Sequence, residues 1–557
     1  MPTTDLINDL WYKNAVIYCI NVESFMDTNG DGRGDFEGLM RRLDYLAGLG
    51  VTCIWLLPFY PSPRRDDGYD VTDYYGVDRR YGSSGDFVEF MNQARDRGIR
   101  VIVDLVINHT SIDHPWFKEA RRDPKSRYRD WYVWSKKRPR DWNKGMVFPG
   151  VQKSTWTYDE EAKAYYLHRF YDFQPDLNTQ NPEVRAEIKR IIGYWLEMGV
   201  SGFRVDALPF VIQIKGPNAG RHKQDFELLR ELRLFLQWRQ GDAVMLAEAN
   251  VLPDEDLKYF GPTDDRMHMM FNFLVNQNLF YSLATGDARP LAVSLRKTKQ
   301  RPVTAQWAQF LRNNDELDLG RLTEQQRQTV FKAFGPDKKM QLYDRGIRRR
   351  LAPMLGGERR RLELAYSLMF TLPGTPVIRY GDEIGMGDDL RLPERESGRT
   401  PMQWSPEPNA GFTTARKPVL PVIDDPIYGY QRVNVEQQRR DPQSLLNWTE
   451  RIIRLRKECP EIGWGDWKLL ATGNPSVFAI RYDWRDNSFI AVHNVHSQPQ
   501  RATLRVPDYP DRSLINLLAD DHSDGDDSGT HRMAIEGYGY RWYRVGGLSY
   551  ILERRKA

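Results

Sequence analysis

The chain is poor in the residues that carry most metal and redox chemistry. Three cysteines, Cys19, Cys53 and Cys459, are spread over 557 residues, too few and too far apart for a disulfide framework. Two of them fall in stretches that read as buried strands, so packing is their expected role. The nine histidines are scattered, and only His109 stands at a predicted strand end, which argues against a transition-metal centre. No apolar run approaches the ~20 residues of a membrane span, and the opening MPTTDLINDLWYKN lacks the basic-then-apolar order of a secretory leader. Lysine and arginine number 80 against 76 acidic residues, so no excess of one sign calls for a nucleic acid or another polyanion. These absences lead us to expect a soluble, cytoplasmic protein with neither a membrane nor a nucleic-acid partner; whether it forms a homo-oligomer is left open. The arginines at 348–350 and 359–361, with Glu358 and Glu363 at helical spacing, read as a solvated, salt-bridged helix rather than a basic docking patch.

What the chain does have is rhythm. Near-continuous apolar runs at 15–20, 51–59 and 99–109 alternate with amphipathic stretches at 36–50 and 87–97. Strands apolar on both faces, separated by helices, are the pattern of a parallel sheet. The pattern stops between Thr110 and Asn178, where Trp116, Trp131, Trp134, Trp142 and Trp156 stand among many charges. It resumes with a helix at 182–198, a strand at 202–206 and a helix at 224–239. Strands at 243–250, around Met269, at 306–316 and at 375–383 follow, and then a helix at 445–457. Eight such units predict an α/β fold of the closed (β/α)8 TIM-barrel type. No glycine-rich fingerprint follows the first strand, which counts against a dinucleotide-binding sheet. Beyond Trp464 the hydrophobic period becomes two, in VFAIRYDW, SFIAVHNV, RATLRV, YRWYRV and SYILER, which predicts an antiparallel β-sandwich domain. The expected organisation is a barrel over 1–109 and 179–463, an inserted B domain over 110–178, and a C-terminal β domain over 464–557. The composition of GDDSGTHR at 525–532 predicts a mobile loop.

In such a barrel the carboxyl ends of the strands build one site. The third strand delivers Asp104, Asn108 and His109, the fourth Arg204 and Asp206, the fifth Glu248, and the seventh Asn313, Asn314 and Asp315. Three carboxylates on three strands suit a retaining glycosidic mechanism, in which one attacks, one moves a proton and one steadies the ring hydroxyls. Arg204 and Asp206, two apart on a strand, point the same way, and the arginine favours an ionised, attacking Asp206. Glu248 lies in the apolar context LAEA, which raises its pKa and suits an acid/base. A structural ion pair at a strand end and a two-carboxylate magnesium site are the competing readings. Near the amino terminus, DTNGDGRGD sets Asp27, Asn29, Asp31 and Asp35 around glycines, with the carbonyl of Arg33 between them. Oxygen donors in that order suit a structural Ca2+ ion, and a plain Asx-rich turn is the alternative.

With DLVINH at 104–109, GFRVD at 202–206, EA at 248–249 and ND at 314–315 in that order, the chain resembles glycoside hydrolase family 13, the α-amylase superfamily, over nearly its whole length. The resemblance implies a catalytic barrel, a B domain inserted after strand three and an antiparallel C-terminal domain. It implies Asp206 as nucleophile, Glu248 as acid/base and Asp315 as transition-state stabiliser, with Arg204 orienting the nucleophile and His109 donating to a sugar hydroxyl. Asp66 and Tyr69 of DDGYD resemble the residues that bind and stack beneath the terminal glucose. The loop from Asp27 to Asp35 resembles the calcium loop of the oligo-1,6-glucosidase-like branch. QPDLN at 174–178, RTPMQW at 399–404 and WLLPFYPSPRRDDGYD at 55–70 are most similar to the branch that interconverts maltose and trehalose. That branch implies a small α-glucoside such as maltose or trehalose as substrate, no organic cofactor, and Arg399 bracing a closed site. Hydrolysis of short α-glucosides is the alternative, because water and sugar compete for one covalent intermediate. A non-catalytic scaffold member is the remote alternative, and the three retained carboxylates speak against it. Two features depart from that branch. Asn314 stands where the family has histidine, and an amide donates only as a neutral group; the segment 211–226 also differs.

Overall fold

The computed structural model describes residues 10–217, 223–508 and 513–546. Eight parallel strands close into a barrel: β1 (Ile17–Ile20), β2 (Cys53–Leu56), β3 (Arg100–Leu105), β4 (Gly202–Val205), β5 (Val244–Ala247), β6 (Met269–Phe271), β7 (Gln306–Phe310) and β8 (Thr375–Arg379). Each pairs with its neighbours in chain order, and β8 pairs back to β1. Alternation along each strand explains the unbroken apolar runs. Ile17, Cys19, Cys53, Trp55, Ile102, Leu246 and Phe271 fill the interior, while Tyr18, Ile54, Val103 and Phe203 pack with the surrounding helices. The same alternation places Asp104 and Arg204, partners in register across β3 and β4, a layer above Ile102. Gly202 opens β4 at φ 149°, and a Cβ there would stand 2.2 Å from the carbonyl oxygen of Val244. Only glycine lets β4 and β5 come this close.

The stretch expected as one helix at 36–50 is two, Phe36–Arg41 and Leu43–Leu49, broken at Arg42, whose guanidinium lies 4.1 Å over the Trp404 ring. The arginines at 348–350 are not a solvated helix. Arg350 is fully buried, donating to the carbonyls of Tyr380 and Gly398, and Arg348 donates to those of Leu390, Leu392 and Glu394. Five donors on a rigid fork suit them to satisfying a buried loop's carbonyls. The expected surface ion pair appears only further on, between Arg359 and Glu363 at 2.6 Å.

The stretch between β3 and β4 carries a three-stranded antiparallel sheet of Trp134–Ser135, Ala164–Leu167 and Trp156–Asp159. At the carboxyl-terminal end a six-stranded and a two-stranded antiparallel sheet share a core that includes Val477, Ile490, Leu504, Leu514 and Ile535. The segment 525–532 is only partly a loop: Thr530–Ile535 is a strand pairing with Gln500–Arg505, and it buries His531. SYILER lies outside the described residues. Among the described residues no helix is long and apolar enough to cross a membrane, and the three cysteines are free and buried.

Candidate active site

β4 ends at Val205 and the chain turns sharply, with Ala207 in the left-handed region at φ 49°. A non-glycine residue held there costs about 1 kcal/mol or more. The turn lets Ala207 donate its N–H to Glu248 Oε2 at 3.0 Å, so the two strand ends are tied across the barrel mouth. Below them Arg204, 1 % exposed, divides its guanidinium among three carboxylates. Nη1 stands 2.6 Å from Asp104 Oδ1 and 2.5 Å from Asp206 Oδ1, and Nη2 stands 2.8 Å from Glu248 Oε2. Trp55 Nε1 donates to the other oxygen of Asp104 at 3.1 Å. Removing Arg204 would leave buried charges uncompensated, a loss of about 3–5 kcal/mol.

Sharing one cation among three anions sets their protonation. Burial lifts Asp206 to about 6; Arg204 opposes the rise, and the charges of Asp104 and Asp315 add to it. Burial lifts Glu248 to about 7, again against Arg204 and with help from Asp206 and Asp315. Near neutral pH Asp206 is therefore mostly ionised while Glu248 holds its proton about half the time, the order wanted of a nucleophile beside an acid. Asp315 is treated differently. Burial works against its charge, but Arg395, Arg399, Arg204 and Arg379 outweigh burial and hold its carboxyl below the usual range. Arg395 and Arg399 touch its Oδ1 at 3.1 and 3.3 Å.

The other sequence-predicted residues gather around this cluster. Asp66 accepts from Gln174 at 2.8 Å, and burial raises it to about 6. Tyr69 presents its hydroxyl 3.5 Å from Arg204 Nη1. His109 directs Nε2 at the Tyr69 carbonyl, 3.1 Å away, so that nitrogen is engaged by protein. Arg399 links Asp67 Oδ2, at 3.1 Å, to Asp315. Asn314 is 2 % exposed, and neither of its side-chain polar atoms has a hydrogen-bond partner. Its carbonyl accepts from Arg399 Nε at 3.1 Å, while Asn313 rather than Asn314 lines the cavity.

That cavity, about 510 Å³, joins Asp66, Tyr69, His109, Asp206, Glu248 and Asp315, and its size is that of a small-molecule site. Phe148 and Arg395 roof one side of it, and residues of three separate segments standing behind them hold that roof together. Phe148 of the insert packs against Tyr171 of the same insert and Tyr343, which follows β7, with ring centroids 4.8 Å apart in each case. The hydroxyls of Tyr171 and Tyr343 both donate to Glu394 Oε2, at 2.9 and 2.8 Å. Arg395 bonds Glu316 at 2.9 Å and lies 4.8 Å over the Phe148 ring. Sequence reasoning missed the roof residues Phe148, Tyr171, Tyr343, Glu394 and Arg395. Their only signal was the aromatic richness of the insert and the nearness of Arg395 to Arg399.

The loop at Asp27 curls as a run of Asx turns. Asp27 accepts from the N–H groups of Asn29, Gly30 and Gly32 at 2.8–3.0 Å, Asn29 accepts from Asp31, and Asp31 from Arg33. Arg33 turns its side chain away to Glu23. Asp35 binds Thr28 and caps the helix that follows. Among the described residues no three His, Cys, Asp or Glu side chains form a metal-holding group; two of the expected donors here, Asn29 and the Arg33 carbonyl, are of other kinds. The donor set is all oxygen, which fits a hard cation, although Asp35 is engaged elsewhere.

The alpha amylase catalytic domain matches residues 19–465, and the sucrose hydrolase-like C-terminal domain matches 487–544. The chain is 44 % identical to a trehalose synthase of Thermus thermophilus over 517 residues, covering 92 % of this chain and 53 % of that one, so it spans about half that relative's length. It is 40 % identical to a trehalose synthase of Pimelobacter sp. over 549 residues, 96 % of each chain. Among solved structures, a trehalose-6-phosphate hydrolase of Bacillus licheniformis superimposes with a TM-score of 0.76 at 27 % identity, over 96 % of this chain and 100 % of that one. Sequence and site chemistry agree: the chain belongs to the α-amylase superfamily, glycoside hydrolase family 13, and is an enzyme of the retaining type.

Proposed function

We propose that the enzyme is an α-glucosyltransferase that interconverts maltose and trehalose, with hydrolysis as a side reaction. Asp206 attacks the anomeric carbon of the non-reducing glucose while the Glu248 proton passes to the glycosidic oxygen. The C–O bond breaks, free glucose remains in the cavity, and a glucosyl ester forms on Asp206. The freed glucose turns and presents its anomeric hydroxyl. Glu248, now a carboxylate, takes that proton as the hydroxyl attacks and Asp206 leaves. Asp315 holds the ring hydroxyls throughout, and water entering first gives glucose. The observation that carries this reading is the roof of three interlocked segments along one side of a half-open cavity of about 510 Å³, a wall against which the freed sugar can turn and attack before water replaces it. The identity to trehalose synthases supports it.

The test is a time course on maltose, trehalose, sucrose, isomaltose and p-nitrophenyl α-glucoside. Trehalose exceeding glucose early from maltose supports transfer. Glucose alone favours the second reading, an α-glucosidase-type hydrolase or transglucosidase acting on short α-glucosides. The unpartnered Asn314 and the similarity to a hydrolase favour that alternative. We assign a structural Ca2+ to the Asp27 loop, held by Asp27, Asn29, Asp31 and the Arg33 carbonyl. Chelation should then lower the melting temperature, and calcium should restore it; a purified protein that holds no calcium and whose melt moves neither on chelation nor on adding calcium removes the assignment. Three buried free thiols accord with the reducing cytoplasm.

A further inference from the structure

The segment 211–226 carries a lysine in an unusual place. Lys215 has a side chain 2 % exposed, beside a fully buried Asp176. Its Nζ faces four oxygens: Asp176 Oδ2 at 3.0 Å, Asn108 Oδ1 at 2.8 Å, and the carbonyls of Asn108 and Leu177, both at 3.1 Å. It does not line the cavity. We infer that Lys215 is a positioning residue that fixes the tautomer and orientation of His109 through the Asn108 amide.

Each link in the relay has only one chemically permitted direction. An ammonium donates and cannot accept, so the oxygen of the Asn108 amide must face Lys215. The amide nitrogen is then turned toward Asp176 Oδ1 at 3.2 Å and His109 Nδ1 at 3.3 Å. Turning the amide over would press NH2 against the ammonium and oxygen against the carboxylate. Because Asn108 Nδ2 only donates, His109 Nδ1 must be unprotonated and accept. The ring proton is thereby placed on Nε2, which donates to the Tyr69 carbonyl, an acceptor only. Burial lowers His109 to about 4, so the neutral ring persists at working pH. The relay thus sets the donor and acceptor pattern of the His109 ring, a cavity residue, from a group that never meets the sugar. It rests on the glucoside reading only for the choice of substrate in one arm of its test.

The experiment uses the full chain labelled with 15N-histidine, the His109 signals being assigned by their loss in His109→Gln. The native protein should show one protonated Nε2 and one unprotonated Nδ1 for this ring. In Lys215→Met the amide keeps only its tie to Asp176 and can swing off Nδ1, while the Tyr69 carbonyl still holds the proton on Nε2; the Nδ1 resonance should therefore shift toward that of an unbonded ring nitrogen. KM for maltose should rise about tenfold, with kcat within about threefold, the loss of one hydrogen bond used equally in ground and transition states. Asn108→Asp keeps Lys215 and the tie to Leu177 but removes the donor to Nδ1, so the ring proton should move to Nδ1; this variant decides the matter if Lys215→Met does not fold. An unchanged Nδ1 resonance in folded Lys215→Met, or a single Nε2–H tautomer in folded Asn108→Asp, overturns the relay. The tautomer is read without substrate, so inactivity toward maltose would count against the proposed reaction and leave the relay to be judged on its own signals.

Discussion

The proposed reaction needs Asp206 charged and Glu248 protonated in the same molecule for its first step, and burial places these groups at about 6 and about 7. Activity should therefore follow a narrow bell. At about pH 6.5, midway, each wrongly protonated form amounts to about 0.3 of the productive one, so about 0.6 of the enzyme is competent. A unit to either side the competent share falls to about 0.2. The assay is kcat/KM for maltose from about pH 5 to about pH 8, which reports the free enzyme; its limbs belong to the coupled cluster rather than to single residues. Asp104→Asn is the informative perturbation. Asp104 shares Nη1 of Arg204 with Asp206, and its charge pushes Asp206 upward. Neutralising it gives Asp206 more of the guanidinium, so the acid limb should move to lower pH and the bell should broaden on that side. An acid limb that stays in place or moves upward would refute the idea that one arginine is divided among competing carboxylates.

Asp206→Asn should abolish turnover, and it should also raise the melting temperature near pH 7.5 but not near pH 4. The folded-state pKa of about 6 lies above the ordinary 3.8, so the stability present below 3.8 is lost as pH rises through 6, and the variant escapes that loss; equal melting at both pH values would contradict the buried-charge account. Glu394→Ala removes the acceptor of two tyrosine hydrogen bonds, about 1 kcal/mol each, and should raise the ratio of glucose to trehalose formed from maltose, whereas an unchanged ratio would show that the roof holds without it. Asn314→His should tighten inhibition by glucose if a buried amide without partners weakens the sugar site, and identical inhibition constants would show that Asn314 has no such role.

The barrel and the carboxylates gathered at its mouth were legible because their signals are local. Each strand is an apolar run, and Arg204 with Asp206, or Glu248 in LAEA, announces its chemistry within a few residues of the same strand. What Asp104 does was not legible: it was foreseen at the barrel mouth, but its sharing of Arg204 depends on the β3–β4 register. The roof was hidden for a stronger reason. Tyr171 stands 172 residues before Tyr343, and Tyr343 stands 51 before Glu394, and no periodicity connects them. Lys215 and Asn108 are likewise 107 residues apart, and a lysine followed by glycine in a polar segment looks solvated until the fold places it. Arg350 misled in the opposite way, because charge spacing suggested a surface helix and tertiary packing used the guanidinium inside.

The division of labour among the carboxylates follows from how many cations each commands. One guanidinium spread over Asp104, Asp206 and Glu248 cannot offset their burial, so Asp206 and Glu248 end above their ordinary values and Glu248 can hold a proton at neutral pH. Asp315 has Arg395 and Arg399 at its own oxygen and is driven the other way. A cation of its own beside Glu248 would ionise it and leave the leaving group without a proton. Arg395 is also a roof residue, lying over Phe148 and Tyr343. A roof displaced from the cavity would take that charge away from Asp315. On the proposed reaction, covering the sugar and charging Asp315 are therefore coupled through Arg395, and a displaced roof would weaken the stabiliser as it admitted water.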